Sequence, residues 1–158
     1  MKTKNALSLF MAIIAIAFTS CGDDGNDDIN NIKPGREQGV HKIEVTITSN
    51  SENFATVLGF TGIGRDGLNA NAALYNETNQ KCGDGIYMRT IENGVGTHFC
   101  YTAPDATGMM GTFGVALYDE STTVTMVCVA YVNDKETSRI EKVFTSKDSS
   151  LVTIQTHS

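Results

Sequence analysis

Val124-Thr-Met-Val-Cys-Val-Ala-Tyr-Val132 is the stretch that decides the fold. Val124, Met126, Cys128, Ala130 and Val132 fall on one side of an extended chain. Val127, Val129 and Tyr131 fall on the other. Apolar, β-branched residues at period two make a strand, because alternate side chains point to opposite faces. With both faces apolar, the strand is expected to be central and covered on both sides.

Outward from it, the same period recurs. Phe113, Val115 and Leu117 alternate with Gly114, Ala116 and Tyr118, and Ile43, Val45 and Ile47 alternate with Lys42, Glu44, Thr46 and Thr48. Phe54, Thr56, Leu58 and Phe60 form another run. Ile86 with Met88, Phe99 with Tyr101, Ile140 to Phe144 and Leu151 to Ile154 complete the set. Turn residues separate the runs: Gly62–Gly67, Gly83-Asp84-Gly85, Asn93-Gly94, Asn133-Asp134 and Lys147–Ser150. Short strands at this spacing predict a sandwich or a barrel over residues 40–158. One helix is expected, over Leu68 to Asn76 with Asp66 as its cap.

The stretch Gly96–Leu117 runs from a strand through Thr102-Ala103-Pro104 to Gly111-Thr-Phe-Gly-Val115. It is similar to bacterial immunoglobulin-like repeats, which implies an all-β, antiparallel, immunoglobulin-like β-sandwich. A small lipocalin-like β-barrel is the alternative, without that family's Gly-x-Trp opening, since the chain has no Trp.

The amino terminus is an address. Lys2 and Lys4 precede an uncharged run from Ala6 to Phe18. That run is shorter than the roughly 20 residues of a bilayer span. With small residues behind it, residues 1–20 read as a secretory signal peptide. Phe18-Thr19-Ser20-Cys21 resembles a bacterial lipobox, with Phe18 where Leu is usual. Asp23, Asp24, Asp27 and Asp28 follow. A lipobox Cys before such a cluster resembles the surface-exposed lipoproteins of the Bacteroidota. The resemblance implies diacylglycerol and acyl lipid on Cys21 and a firm outer-membrane anchor, because each buried CH2 contributes roughly 0.8 kcal/mol. It also implies that the protein faces the cell exterior. Residues 21–39 then form a lipidated acidic tether, rich in Gly, Asn and Asp.

The chain has 158 residues, 12 Lys+Arg and 18 Asp+Glu, for a net charge of -6. Without Lys2 and Lys4 the balance is 10 against 18, a net of -8. Acidic chains with no basic run are poor nucleic-acid binders, because that binding depends on cations displacing phosphate counterions. No nucleic-acid partner is therefore expected.

Cys82, Cys100 and Cys128 remain after Cys21. Export permits disulfides. Three thiols allow three pairings, and the expected one is Cys82–Cys100 across a hairpin, with Cys128 a buried small hydrophobe. Its loop length would contribute about 3 kcal/mol. A nucleophilic Cys beside His98, or a metal held by Cys82, His98 and Cys100, competes with that reading. Gly62-Ile-Gly64-Arg-Asp-Gly67 matches a dinucleotide-binding fingerprint in letters. No βαβ series follows, so it reads as a loop joining strands. Asp66, Asn69 and Asn71 offer oxygen ligands for calcium, with one charge among them.

No Gly-x-Ser-x-Gly or His-Glu-x-x-His is present. The adjacent carboxylates Asp119 and Glu120 point to opposite faces in a strand and do not make a glycosidase pair. Tyr75, Tyr87, Tyr101 and Tyr118 are candidate ring platforms for a glycan. The leading expectation is a surface-anchored binding or interaction module for a glycan or protein ligand. A structural or protective envelope lipoprotein acting through a protein partner is the second reading, and an enzyme the third.

Overall fold

The computed structural model describes residues 38–65, 67–147 and 150–156, with backbone alone at 67–70. The signal peptide, Cys21 and most of the tether lie outside the described residues, as do Asp66, His157 and the side chain of Asn69.

Two antiparallel sheets face each other. One carries six strands in the order β10-β9-β1-β7-β4-β5. These are β1 (His41–Ser49), β4 (Ala73–Asn76), β5 (Lys81–Asp84), β7 (Gly96–Thr102), β9 (Val124–Val132) and β10 (Lys135–Phe144). The other is built on β2 (Phe54–Gly64) and runs β11-β8-β2-β3. Its members are β3 (Gly67–Asn71), β8 (Gly108–Leu117) and β11 (Val152–Gln155), and β6 (Ile86–Glu92) shares the β3 side of β2. The sheets are open and do not close on each other, so the fold is a β-sandwich and the barrel alternative falls. Closing a barrel needs every edge hydrogen-bonded to a neighbour, whereas β5, β10 and β11 end their sheets.

The inward rows meet in the middle. Ile43, Val45 and Ile47 from β1 and Met126, Cys128 and Ala130 from β9 face Phe54, Leu58 and Phe60 from β2 and Phe113 and Val115 from β8. All are buried. Phe60 meets Phe113 edge-on at 5.4 Å, a favoured ring geometry. Gly111 leaves room for the Phe113 ring, which a Cβ there would strike.

The turns follow the local chemistry. Asn133 and Asp134 both have positive φ, 49° and 63°, and join β9 to β10 in the primed turn that suits right-twisted strands. Asn133 is also tied to Val40, its amide donating to the Val40 carbonyl and its Oδ1 accepting from the Val40 amide. Asn93, at φ 47°, turns β6 into β7.

Two expectations are corrected. The helix over Leu68–Asn76 is replaced by β3 and β4, with the chain leaving one sheet for the other at Ala72. Local helix propensity is worth tenths of a kcal/mol per residue. Free edges on β2 and β7 offer hydrogen bonds that outweigh it: β3 pairs at Ile63 and Gly64, and β4 pairs Leu74 with Thr102. Second, among the described elements no second sheet packs on the outer side of β9, where Val127 and Tyr131 are half-buried and Val129 is buried among its cross-strand neighbours.

Candidate binding face of the six-stranded sheet

That side of β9 belongs to a face shared by all six strands of the sheet. The register sets one row straight across it. Lys81 pairs with Tyr75, Tyr75 with Tyr101, Tyr101 with Lys42, Lys42 with Tyr131 and Tyr131 with Glu136. A parallel row runs Phe99, Glu44, Val129, Arg139. Directly opposed residues on one face stand about 4.5–5.5 Å apart at Cβ, close enough for ring contacts.

The contacts follow. Tyr75 and Tyr101 stack in parallel, 5.4 Å between centroids. The Lys42 ammonium lies 4.3 Å from the Tyr131 ring centre and 5.6 Å from that of Phe99. Its Nζ is 3.4 Å from Glu44 Oε2. Arg139 pairs with Glu136 at 2.9 Å, and Lys81 with Asp84 at 2.7 Å. The positive charges on the row are thus balanced within the face. All four rings are half-buried.

One end of the row is held by the β4–β5 turn. Asn76 Oδ1 accepts from the Thr78 amide, the Thr78 hydroxyl and the Gln80 amide, which closes the turn. Asn79, at φ 59°, presents its Oδ1 to the Tyr101 hydroxyl at 3.0 Å. Glu77 reaches the other way, into the gap between the sheets. It takes Arg89 Nη2 of β6 at 2.5 Å and the Phe99 amide at 3.2 Å. Arg89 Nη2 also contacts His98 Nδ1 at 2.7 Å. A guanidinium only donates, so Nδ1 accepts and the ring proton sits on Nε2, where it donates to the Gly94 carbonyl at 2.9 Å. The cluster ties the two sheets together behind the face.

The proposed residues divide. Tyr75 and Tyr101 are brought together on the face. Tyr87 points inward, stacked 6.3 Å from Phe60. Tyr118 lies beyond β8 and donates to the Glu92 carboxylate at 3.0 Å, far from the row. Of the calcium candidates, Asp66 and the side chain of Asn69 lie outside the described residues. Asn71 is exposed, with its amide group lying on Gly85. Among the described residues, no three His, Cys, Asp or Glu side chains gather as a metal site. Lys42, Phe99 and Tyr131 join the site only through cross-strand register, which a one-dimensional pattern does not carry.

Cys82 and Cys100 meet, unbonded. Their Sγ atoms are 3.9 Å apart and both are free thiols, so the expected disulfide is not made here. A bond needs about 2.05 Å, and β4 stands between their strands in the sheet order. Burial pushes both thiols up, and Cys128 up to about 12. A nucleophilic cysteine needs the opposite shift. Asp119 is pulled down to about 2 by the hydroxyls of Ser121 and Thr122 and by the Asn53 amide. Those donors occupy its carboxylate as the clasp of the β8–β9 loop. The Gly62–Gly67 motif is the end of β2 and its turn into β3, with no helix behind it.

The class defined by this geometry is an antiparallel β-sandwich with one open, aromatic sheet face. No family model matches the sequence, and no curated protein does. Solved structures do. A DUF4425 family protein from Bacteroides ovatus is 25% identical with a TM-score of 0.62, over 75% of this chain and 94% of that one. A domain of unknown function, DUF4425, from Bacteroides vulgatus is 25% identical with a TM-score of 0.63, over 76% and 94%. The calcium-bound form of a protein from Parabacteroides distasonis is 16% identical with a TM-score of 0.60, over 84% and 100%. The chain is similar to these in fold, and the first two are described as being of unknown function.

Proposed function

We infer that the protein is a lipid-anchored binding module whose outer face on the six-stranded sheet takes a neutral glycan. The observation that carries this is the row Tyr75–Tyr101–Lys42–Tyr131 on an open sheet face. Aromatic rings offer apolar faces and edges to sugar C–H groups, and the tyrosine hydroxyls offer hydrogen bonds. Lys42, Lys81 and Arg139 have Glu44, Asp84 and Glu136 as partners, so the ligand need bring no charge. The anchor side of the reading rests on Cys21 and its acidic flank, by resemblance alone.

The test is an array of neutral polysaccharides probed with the full chain, beside its Tyr101→Ala and Tyr131→Ala variants. Binding that falls about fivefold or more in both supports the reading, since a ring stacked on a ligand is worth about 1 kcal/mol. Binding unchanged by both variants, or absent throughout, overturns it. Capture of a protein instead would favour the envelope-partner reading. Calcium enters as a variable of this experiment, because one fold neighbour was solved in a calcium-bound form. Binding lost in a chelator and restored by calcium would support a calcium site, and loss of that dependence in Asp66→Asn would assign it to Asp66, Asn69 and Asn71. For display, intact cells are treated with protease. Loss of the domain supports an outward orientation, and protection until lysis sinks it.

A further inference from the structure

β5 ends its sheet, and Cys82 is its bulge residue. Leu74 pairs with Gly83 and Tyr75 with Lys81, which leaves Cys82 opposite β4 without a ladder partner. An unpaired bulge residue can shift while the flanking pairs hold. Cys82 is half-buried, Cys100 on β7 is fully buried, and their sulfurs are 3.9 Å apart. Between them runs β4, which carries Tyr75 against Tyr101. Cys128 lies on β9, on the far side of β1 from β7.

We propose that Cys82 and Cys100 form a reversible dithiol–disulfide pair whose closure stiffens β4 and the Tyr75 end of the binding face. The oxidant is a small disulfide such as oxidised glutathione. Cys82, the more accessible thiol, gives up its proton and attacks one sulfur of that disulfide. The disulfide's S–S bond breaks, a mixed disulfide forms on Cys82, and the first small thiol leaves with a proton. Cys100 then gives up its proton and attacks Cys82 Sγ. The mixed bond breaks, the Cys82–Cys100 bond forms, and the second small thiol leaves with that proton. Two cysteines lose two electrons, and one small disulfide gains them. Burial of both thiols makes the exchange slow at neutral pH and directs the first attack to Cys82. The consequence for recognition rests on the proposed function; the cross-link does not.

The full chain, purified reduced, is exposed to oxidised glutathione, alkylated and mapped by peptide mass. Hydrogen exchange is then followed over residues 73–84. The expected result is a Cys82–Cys100 peptide that dithiothreitol reverses, with Cys128 still free. Exchange across 73–84 slows by about tenfold or more, and the melting temperature rises by roughly 10 °C. In Cys82→Ser, Cys100 stays unmodified. A glutathione adduct that stops on Cys82, or a bond to Cys128, overturns the pair. A cross-link with unchanged exchange at 73–84 overturns the coupling to the face. A face that binds no glycan leaves the cross-link standing and removes only its role in recognition.

Discussion

The two faces of β9 are alike in composition and unlike in use. Inward, Val124, Met126, Cys128, Ala130 and Val132 meet the second sheet, and all five are buried. Outward, Val127, Val129 and Tyr131 meet no second layer among the described elements, and their cross-strand neighbours on β1 are Thr46, Glu44 and Lys42. Hydrophobicity in one strand does not distinguish a core face from a binding face. The neighbouring strand does: β1 is apolar on the inward side and charged on the outward side. On the inside, contacts make stability. On the outside, the same ring chemistry is left half-exposed and interleaved with paired charges.

The comparison can be broken by substitution. The largest effect is expected inside. Phe113→Ala empties the space between Phe60 and Gly111 and should destabilise by about 3–5 kcal/mol, measured by chemical denaturation. A loss below 1 kcal/mol would mean that the inward face is not the principal source of stability. Next comes the clamp between the sheets. Arg89→Ala leaves His98 Nδ1 without its donor and the Glu77 carboxylate with the Phe99 amide but no countercharge, in a partly buried site. A loss of about 1–3 kcal/mol is expected, smaller than for a fully buried pair because both side chains are about a quarter exposed.

The third prediction concerns pH. His41 is 0% exposed, with its Nδ1 on the Thr156 hydroxyl at 2.9 Å. Burial lowers its pKa below the ordinary 6.5, and the Ala106 carbonyl opposes this only in part. The unfolded chain therefore binds the proton more readily than the folded one. The contribution of His41 to stability is complete well above pH 6.5 and is lost as pH falls through 6.5 toward the lower folded value. Melting curves from pH 8 to pH 5 should show this slope, and His41→Asn should reduce it. An equal slope in both would remove His41 as its source.

The smallest stability effect is expected outside. Lys42→Ala gives up an ammonium–ring contact worth about 0.5–1 kcal/mol at an exposed site. Its stability should barely move while glycan binding changes. A loss as large as that of Phe113→Ala would place the row in the core's service and erase the distinction.

Much of the fold was legible. Period-two alternation marked the principal strands, and Asn133-Asp134 marked its turn by the tolerance of those residues for positive φ. The Leu68–Asn76 segment was not legible as strands, because its pairing is supplied by β2 and β7 from elsewhere in the chain. The face was half legible. Tyr75 and Tyr101 are visible as aromatics, but nothing local separates them from Tyr87, which packs inward against Phe60. Lys42 reads as an ordinary polar residue of an amphipathic strand until register sets it against Tyr131.

The position of β1 has a kinetic consequence. The first strand of the sandwich sits in the interior of its sheet, with Ile43 opposite Cys100 on one side and Ala130 on the other. One edge of β1 can pair only once β7 has been made, near residue 102, and the other must wait until β9 has been made, past residue 130. Closing loops of that length precedes any reward from pairing, so folding should be slow and late rather than progressive. A nascent chain ending before β9 carries an open, apolar strand edge and is the species most prone to aggregate. The same delay leaves the polypeptide loose until the last strands of its sheet have been made.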